Sequence, residues 1–360
     1  MIELDGSEGG GQILRSALAL SLITGKGFLL NNIRAGRPNP GLQAQHLQCV
    51  HAAASLCKSA IVEGAELWSM SLRFVPGKLE PKDMKLDIGT AGSITLLLQS
   101  LLPVLILGSK KITLDVVGGT DVAWSMPYDY FKEVFLPQLT PYVDVKCELI
   151  KRGYYPKGSG HVRLSIKPKY TLETVTQAQP LMLLDQGKLV SIKGVSHASK
   201  DLQTKQVTER QAQAAQLELK KTNLPLDIVK EYVDTLSTGS GITLWAIAIA
   251  TGSEGIEPLH PIRLGGDALG ERKLSAEDVG FNAAHALLSA IHSKTPVDKH
   301  LGDNLVPYLA LFSGRIRVED ITDHTKTNIK TCEAFLGNIF TIDAENKIIT
   351  MKKPITLAIG

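Results

Sequence analysis

The stretch Asp5-Gly6-Ser7-Glu8-Gly9-Gly10-Gly11-Gln12-Ile13-Leu14-Arg15-Ser16 decides how the chain is to be read. A short strand leads into it, three consecutive glycines make the turn, and an apolar helix follows over Gln12 to Ile23. Working outward, a strand (Phe28 to Ile33), a basic loop, a helix (Gly41 to Cys57) and two strands ending at Val75-Pro76-Gly77 complete a β-α-β-α-β-β unit. The same order returns about eighty residues later. It runs through Leu86-Asp87-Ile88, the turn Gly89-Thr90-Ala91-Gly92, helix Ser93 to Leu107, strand Lys111 to Val117 and helix Pro127 to Tyr142. Strands around Val143 to Ile150 and Gly160 to Ile166 close that unit. A third copy shows helix Leu301 to Phe312, strand Arg315 to Ile321, helix His324 to Leu336, and strands Ile339 to Asp343 and Lys347 to Met351. Self-similarity of this kind points to stacked copies of one α/β module.

Between the second and third copies the pattern changes. A strand (Leu189 to Val195), a polar helix (Gln206 to Leu219) and strands near Ile228 to Thr235 and Ile242 to Ala250 predict a small inserted α/β domain over residues 185–272. The large repeat-built domain is then 1–184 together with 273–360. Gln186-Gly187-Lys188 and Leu264-Gly265-Gly266-Asp267 are the expected crossings between the two.

A net charge of +3 is too small to mark a polyanion binder globally, so any such site must be a local cluster. Cys49, Cys57, Cys147 and Cys332 are scattered without a Cys-x-x-Cys pair, which argues against zinc and against a disulfide scaffold and favours a reducing cytoplasm. The first residues lack a basic leader, and the apolar run Ile94 to Leu107 is broken by Gln99, Ser100 and Pro103, so neither a signal peptide nor a membrane span is expected.

Three glycines at a strand-to-helix turn expose backbone N–H groups that suit a phosphate, although no Gly-Lys-Ser/Thr ending makes this a Walker loop. If the helix begins at Glu8, then Glu8, Gln12 and Arg15 share one face. A glycine turn with surface polar residues would read the same way. Arg34-Ala35-Gly36-Arg37-Pro38-Asn39-Pro40-Gly41, followed by Gln43, Gln45 and His46, sets two arginines in a stiff loop before a helix, as bidentate phosphate recognition needs. Lys151-Arg152-Gly153-Tyr154-Tyr155-Pro156-Lys157 mixes cations and aromatics, either as an RNA contact or as a strand-connecting turn. His324 opens a helix with Asp323 as its expected cap. A helix start disfavours imidazolium while nearby carboxylates favour it; a ring held neutral is a nucleophile toward phosphorus, and an ordinary histidine beside a helix cap would read the same way.

These residues, with Arg34-Ala35-Gly36-Arg37 and Gly41-Leu42-Gln43-Ala44-Gln45-His46, closely resemble the RNA 3'-terminal phosphate cyclase family. Gly89-Thr90-Ala91-Gly92-Ser93, Gly118-Gly119-Thr120-Asp121, Tyr155-Pro156-Lys157-Gly158-Ser159-Gly160, His300-Leu301-Gly302-Asp303-Asn304-Leu305 and His324-Thr325-Lys326-Thr327-Asn328 continue the likeness in the family's order over nearly the whole chain. The resemblance implies an enolpyruvyl-transferase-like repeat architecture and a ligase-class enzyme. It also implies ATP as co-substrate, Mg²⁺ or another divalent cation, and RNA with a 3'-phosphate end as partner. The implied reaction makes a 2',3'-cyclic phosphate through covalent histidine-AMP and RNA-adenylate, with His324 as nucleophile. By the same motif match, Glu8 assists catalysis and the metal. Gln12 lies in the adenylylation site, and Arg15, Arg34 and Arg37 hold phosphates, with Gln45 beside the substrate. Pro127, Tyr130 and His300 sandwich the adenine, and Asp303 and Asn304 are the polar pair next to them. Tyr130 stands where phenylalanine is usual and Asn304 where glutamine is usual, which bears on nucleotide preference. Two other readings stand beside the cyclase: a non-catalytic relative acting in ribosome biogenesis, which lacks the histidine, and an enolpyruvyl transferase, which needs none. Dimerisation, the RNAs acted on and activity on DNA ends are left open.

Overall fold

The computed structural model describes residues 1–256 and 261–352; residues 257–260 and 353–360, which fall in the inserted and large domains of the sequence division, lie outside the described residues. The first sheet has the order β1-β2-β5-β4, from β1 (Ile2–Asp5), β2 (Phe28–Asn31), β4 (Ile61–Glu63) and β5 (Leu72–Val75), with a ribbon of β3 (Cys57–Lys58) and β6 (Lys78–Leu79) at its side. β1 runs parallel to β2, while β5 is antiparallel to both β2 and β4. Helices α1 (Gly11–Thr24) and α2 (Ala44–Ser55) make its connections.

The second sheet, β7-β8-β10-β9, pairs the same way: β7 (Met84–Asp87) parallel to β8 (Ile112–Gly118), then β10 (Gly160–Pro168) and β9 (Val143–Lys151) antiparallel. Helix α3 (Ile94–Leu105) starts on Ser93, whose hydroxyl accepts from Leu96 N–H at 3.2 Å. The helix expected over Pro127 to Tyr142 is irregular: one turn α4 (Tyr128–Tyr130), a π turn over Phe131–Phe135 and a 3-10 turn over Leu136–Leu139, where Pro137 donates no backbone hydrogen bond.

The third sheet, β11-β16-β18-β17, again sets a parallel pair beside two antiparallel ones. Its first strand, β11 (Leu181–Leu183), was not foreseen. It is followed by a separate sheet, β13-β12-β14-β15, formed by β12 (Lys188–Ser199), β13 (Leu226–Val233), β14 (Ser240–Ile249) and β15 (Ile262–Leu269), with α5 (Val207–Leu219) and α6 (Ala276–His292) packed on it. Only then come α7 (Lys299–Phe312), β16 (Gly314–Arg317), α8 (Asp323–Leu336), β17 (Phe340–Asp343) and β18 (Ile348–Met351).

Two expectations change here. Leu264-Gly265-Gly266-Asp267 is no crossing but the middle of β15. Its glycines are required because a Cβ at 265 would lie 2.2 Å from the Tyr130 ring, and one at 266 would meet the backbone of Leu287 and Ala283 at 2.4 and 2.6 Å. The division at 272 left α6 with the large part, yet Val279, Ala283, Leu287 and Ile291 share a core cluster with Ile192, Leu244 and Leu264 of the small sheet.

The helices of the first, second and third sheets meet in one core. α1 packs on α2, α3 and α8, and α7 packs on α3 and α8. Leu14, Leu18 and Leu22 of α1 are at most 2 % exposed, and each such side chain contributes on the order of 1.5–3 kcal/mol by leaving water. α1 stops where Gly25, at φ 70°, gives its N–H to the Ser21 carbonyl at 2.9 Å. α1 and α8 are thus fixed side by side, with their amino-terminal ends carrying the residues of the next section.

Candidate active site

The two amino-terminal ends open onto one cleft of about 1130 Å³, bounded also by the Arg34–Gly41 loop, the loop before α4, β15 and the start of α7. The glycine turn leaves room for side chains from elsewhere. A Cβ at Gly11 would lie 2.2 Å from His46 Nε2 and 2.9 Å from Arg15, and one at Gly10 would sit 3.4 Å from the Arg37 guanidinium. α1 begins at Gly11, not at Glu8. Glu8 therefore leaves the face of Gln12 and Arg15. It does not line the cleft, and its exposed carboxylate reaches Lys330 at 3.4 Å.

His324 sits in the first turn of α8 and lines the cleft. The cap is Thr322, whose Oγ1 accepts from Thr325 N–H at 3.0 Å; the expected cap, Asp323, points into solvent and pairs with Lys326 at 3.2 Å. Thr322 has the extended backbone a cap requires, whereas Asp323 is already the first helical residue. Gln12 grips His324 twice. Its amide nitrogen donates to the His324 carbonyl at 2.8 Å, which turns Gln12 Oε1 toward His324 Nδ1 at 2.5 Å. An amide oxygen accepts only, so the proton belongs on Nδ1 and the lone pair on Nε2.

Asp303 and Asn328 hold α8 in place. Asp303 Oδ1 accepts from the hydroxyls of Thr322 (2.5 Å) and Thr325 (2.7 Å), and Asn328 bridges Ser16 Oγ and the Asp303 carbonyl. A further chain runs from Arg15 Nε to Gln99 (3.0 Å), from Gln99 to Asn304 (2.5 Å) and from Asn304 to the His300 carbonyl (2.7 Å).

Three arginines line the cleft, and Asp267, Glu271 and Asp303 line it too without pairing with them. Among the described residues, Arg15, Arg34 and Arg37 pair with no carboxylate, although all three line it. Burial holds the Arg15 guanidinium below its ordinary value; burial and then neighbouring Arg37 do the same to Arg34. Arg34, at φ 55°, spends Nη1 on the carbonyls of Asn39 (2.6 Å) and Gly41 (3.0 Å), which fixes the loop, while Arg37 is exposed. His46, quoted in the sequence motif but not assigned a role, accepts the Gln43 N–H at Nδ1 (3.1 Å), leaving Nε2–H for the cleft. Burial, Arg15 and Arg34 press its pKa down to about 3, so it is a neutral donor. Gln45 lines the cleft, but its Oε1 accepts from Ser93 N–H at 3.0 Å, tying α2 to the start of α3.

Pro127 is buried away from the cleft, and Tyr130 is only 1 % exposed. The Tyr130 hydroxyl donates to Asp298 at 2.6 Å, and the same carboxylate caps α7 and accepts from Gly265 N–H. Of the expected adenine sandwich, His300 alone is exposed at the cleft. Arg152 and Tyr154 of the cation-aromatic segment turn inward. Arg152 meets Asp121 (3.2 Å), Asp129 (2.8 Å) and Glu231 (3.1 Å), and Tyr154 meets His197 (2.8 Å). Asp121, Asp129 and His197 form a metal-like cluster that this guanidinium already fills. Sequence reading missed Gln99, Trp124 and Asp267 at the cleft; burial pushes the Asp267 carboxyl up to about 6, and Asp298 adds to the rise.

The fold and the site together define an α/β protein whose cleft brings three arginines together with a histidine, His324, that has a bare ring nitrogen. The family description "RNA 3'-terminal phosphate cyclase" matches residues 6–342. Proteins of that name from Caldivirga maquilingensis (46 % identical, 99 % of each chain covered) and Pyrococcus furiosus (43 %, 95 % of each) are similar throughout. One from Thermococcus gammatolerans is 45 % identical over 96 % of this chain and 95 % of its own. The chain belongs to the RNA 3'-terminal phosphate cyclase family.

Proposed function

We propose that this chain is an ATP-dependent ligase that converts an RNA 3'-phosphate end into a 2',3'-cyclic phosphate. The observation that carries the reading is the double grip of Gln12 on His324, which presents Nε2 to a cleft with three arginines that pair with no carboxylate. In the first step Nε2 attacks the α-phosphorus of ATP and pyrophosphate leaves. The developing charge on the ring is met by Gln12 Oε1 at Nδ1–H. The nucleotide then passes to a terminal phosphate oxygen of the RNA, breaking the P–N bond and freeing the ring. Finally the 2'-hydroxyl, losing its proton, attacks the phosphorus of the RNA 3'-phosphate, and the bond from that phosphorus to the anhydride oxygen breaks so that AMP leaves; an anhydride-linked AMP departs far more readily than a free phosphate oxygen. Arg15, Arg34, Arg37 and the His46 Nε2–H are placed to hold phosphate oxygens through these steps. His300 carries the base, with Asp303 and Asn304 supporting it through α7 and α8.

Glu8 is our proposed ligand for a divalent ion, Mg²⁺ or another, because an exposed carboxylate with a single long contact to Lys330 is an exchangeable hard donor. Such an ion, when bound, neutralises pyrophosphate charge. The shared strand order of the first, second and third sheets supports reading them as copies of one β-α-β-α-β-β unit, as in enolpyruvyl transferases. The small domain then starts at 185 and, with α6, runs past 272 to enter the third copy between β11 and α7.

The test is labelling with α-labelled ATP and Mg²⁺ followed by denaturing electrophoresis. An acid-labile adduct on the parent and none on His324→Ala is expected. No adduct and unchanged RNA 3'-phosphate ends, with both proteins folded, would transfer the assignment to a non-catalytic RNA-binding relative.

A further inference from the structure

Trp124 has a setting that neither packing nor the reaction above explains. Its side chain is 97 % exposed, the most of any large hydrophobic residue among those described, whereas tryptophan ordinarily buries most of its surface. Its backbone lies at φ 64°, in the left-handed region that disfavours a residue with a bulky Cβ substituent. The loop around it is not slack. Thr120 N–H donates to Gly153 (2.9 Å), Tyr128 N–H to Thr120 (3.0 Å), Ser125 Oγ to Val122 (2.8 Å), and Thr95 Oγ1 to Met126 (2.7 Å). A rigid, strained loop therefore holds an indole out in water, and strain of this kind persists where function requires it.

We propose that Trp124 is a stacking platform for a base of the RNA strand as it leaves the cleft. This rests on the function proposed above. The ring lines the same cleft as Arg15, Arg34 and Arg37, none of which pairs with a carboxylate, and an aromatic face in a groove that carries free cations is how single-stranded nucleic acid is held without regard to sequence. A ring with nearly all its surface in water leaves a stacked base solvated on its far side. That suits a strand running outward better than an enclosed adenine.

The test compares Trp124→Ala, Trp124→Gly and Trp124→Phe in the full chain. The glycine variant removes the ring and also relieves the left-handed backbone, so it folds at least as well as the parent. With short single-stranded RNAs bearing a 3'-phosphate, the RNA KM rises about tenfold in the alanine and glycine variants and less than about threefold in the phenylalanine one. The rise is similar for purine and pyrimidine ends, and the ATP KM does not follow it. Quenching of tryptophan fluorescence by RNA, seen in the parent, disappears in Trp124→Phe, which retains Trp68 and Trp245. An unchanged RNA KM with unchanged quenching overturns the proposal. So does quenching of Trp124 by ATP alone with a matching rise in ATP KM, which would give the ring to the nucleotide. If the parent neither labels nor cyclises, yet RNA still quenches Trp124, the reaction assignment fails and the platform stands.

Discussion

Replacing Gln12 by alanine removes both hydrogen bonds that orient His324, one at 2.8 Å to its carbonyl and one at 2.5 Å to Nδ1. Each such bond contributes on the order of 0.5–1.5 kcal/mol, so the pair holds the ring by about 1–3 kcal/mol, or about 5- to 150-fold in a step that needs this orientation. The expected loss falls on transfer of AMP to the protein. It is read as the single-turnover rate of labelling from saturating α-labelled ATP without RNA, so that later steps cannot mask it. Gln12→Glu makes the test sharper. A carboxylate still accepts from Nδ1–H but cannot donate to the His324 carbonyl, and its charge keeps a proton on the ring. Labelling of this variant is therefore slow at neutral pH and recovers as pH is raised, whereas Gln12→Ala is slow throughout. A Gln12→Ala protein that labels within twofold of the parent would refute the view that this amide sets the tautomer and pose of the nucleophile.

Two further outcomes follow from buried charge. Arg152 is 2 % exposed and neutralises Asp121 and Asp129, which are also buried, while Glu231 is half-exposed. Arg152→Leu should destabilise the protein by about 3–5 kcal/mol at pH 7.5, seen as a lower melting temperature. Burial already pushes Asp129 up to about 6, and losing the cation raises it further. The folded variant then holds a proton that the unfolded chain gives up, so its deficit shrinks as pH falls toward 5; a deficit equal at both pH values contradicts this. The His46 ring, pressed down to about 3, stays neutral between pH 8 and 5, and its ring-proton NMR resonances should not move over that range. The unfolded chain takes up a proton near 6.5, so this site costs stability as pH falls below that value.

Local signals were legible in the sequence where one residue decides a boundary. Gly25 ends α1 and Ser93 starts α3 because each satisfies a backbone group at a helix end. Leu181–Leu183 was not legible: three residues carry no period, and the helix that completes their unit lies more than a hundred positions later. Gly265 and Gly266 looked like a hinge, since sequence cannot show that Tyr130 and α6 press on them. Arg15, Arg34 and Arg37 stood out by their chemistry and His324 by the motif match, and all four line one cleft, but the pose and tautomer of His324 depend on a partner at the other end of the chain. Glu8 and Pro127 lie off the lining of the cleft for smaller reasons, a helix starting three residues later and a turn facing inward. Trp124 gave no signal, because a tryptophan read without coordinates defaults to the core.

The Gln12–His324 pair spans 312 positions. At a synthesis rate of about 5–20 residues per second, the arginine-bearing loops leave the ribosome roughly 15–60 s before the histidine does. Throughout that interval the nascent chain carries the arginines of the cleft but not His324. A translation product cut short before α8 would lack both the histidine and the helix on which α1 and α7 pack, so its arginines would stay on a chain that cannot gather them into the folded cleft.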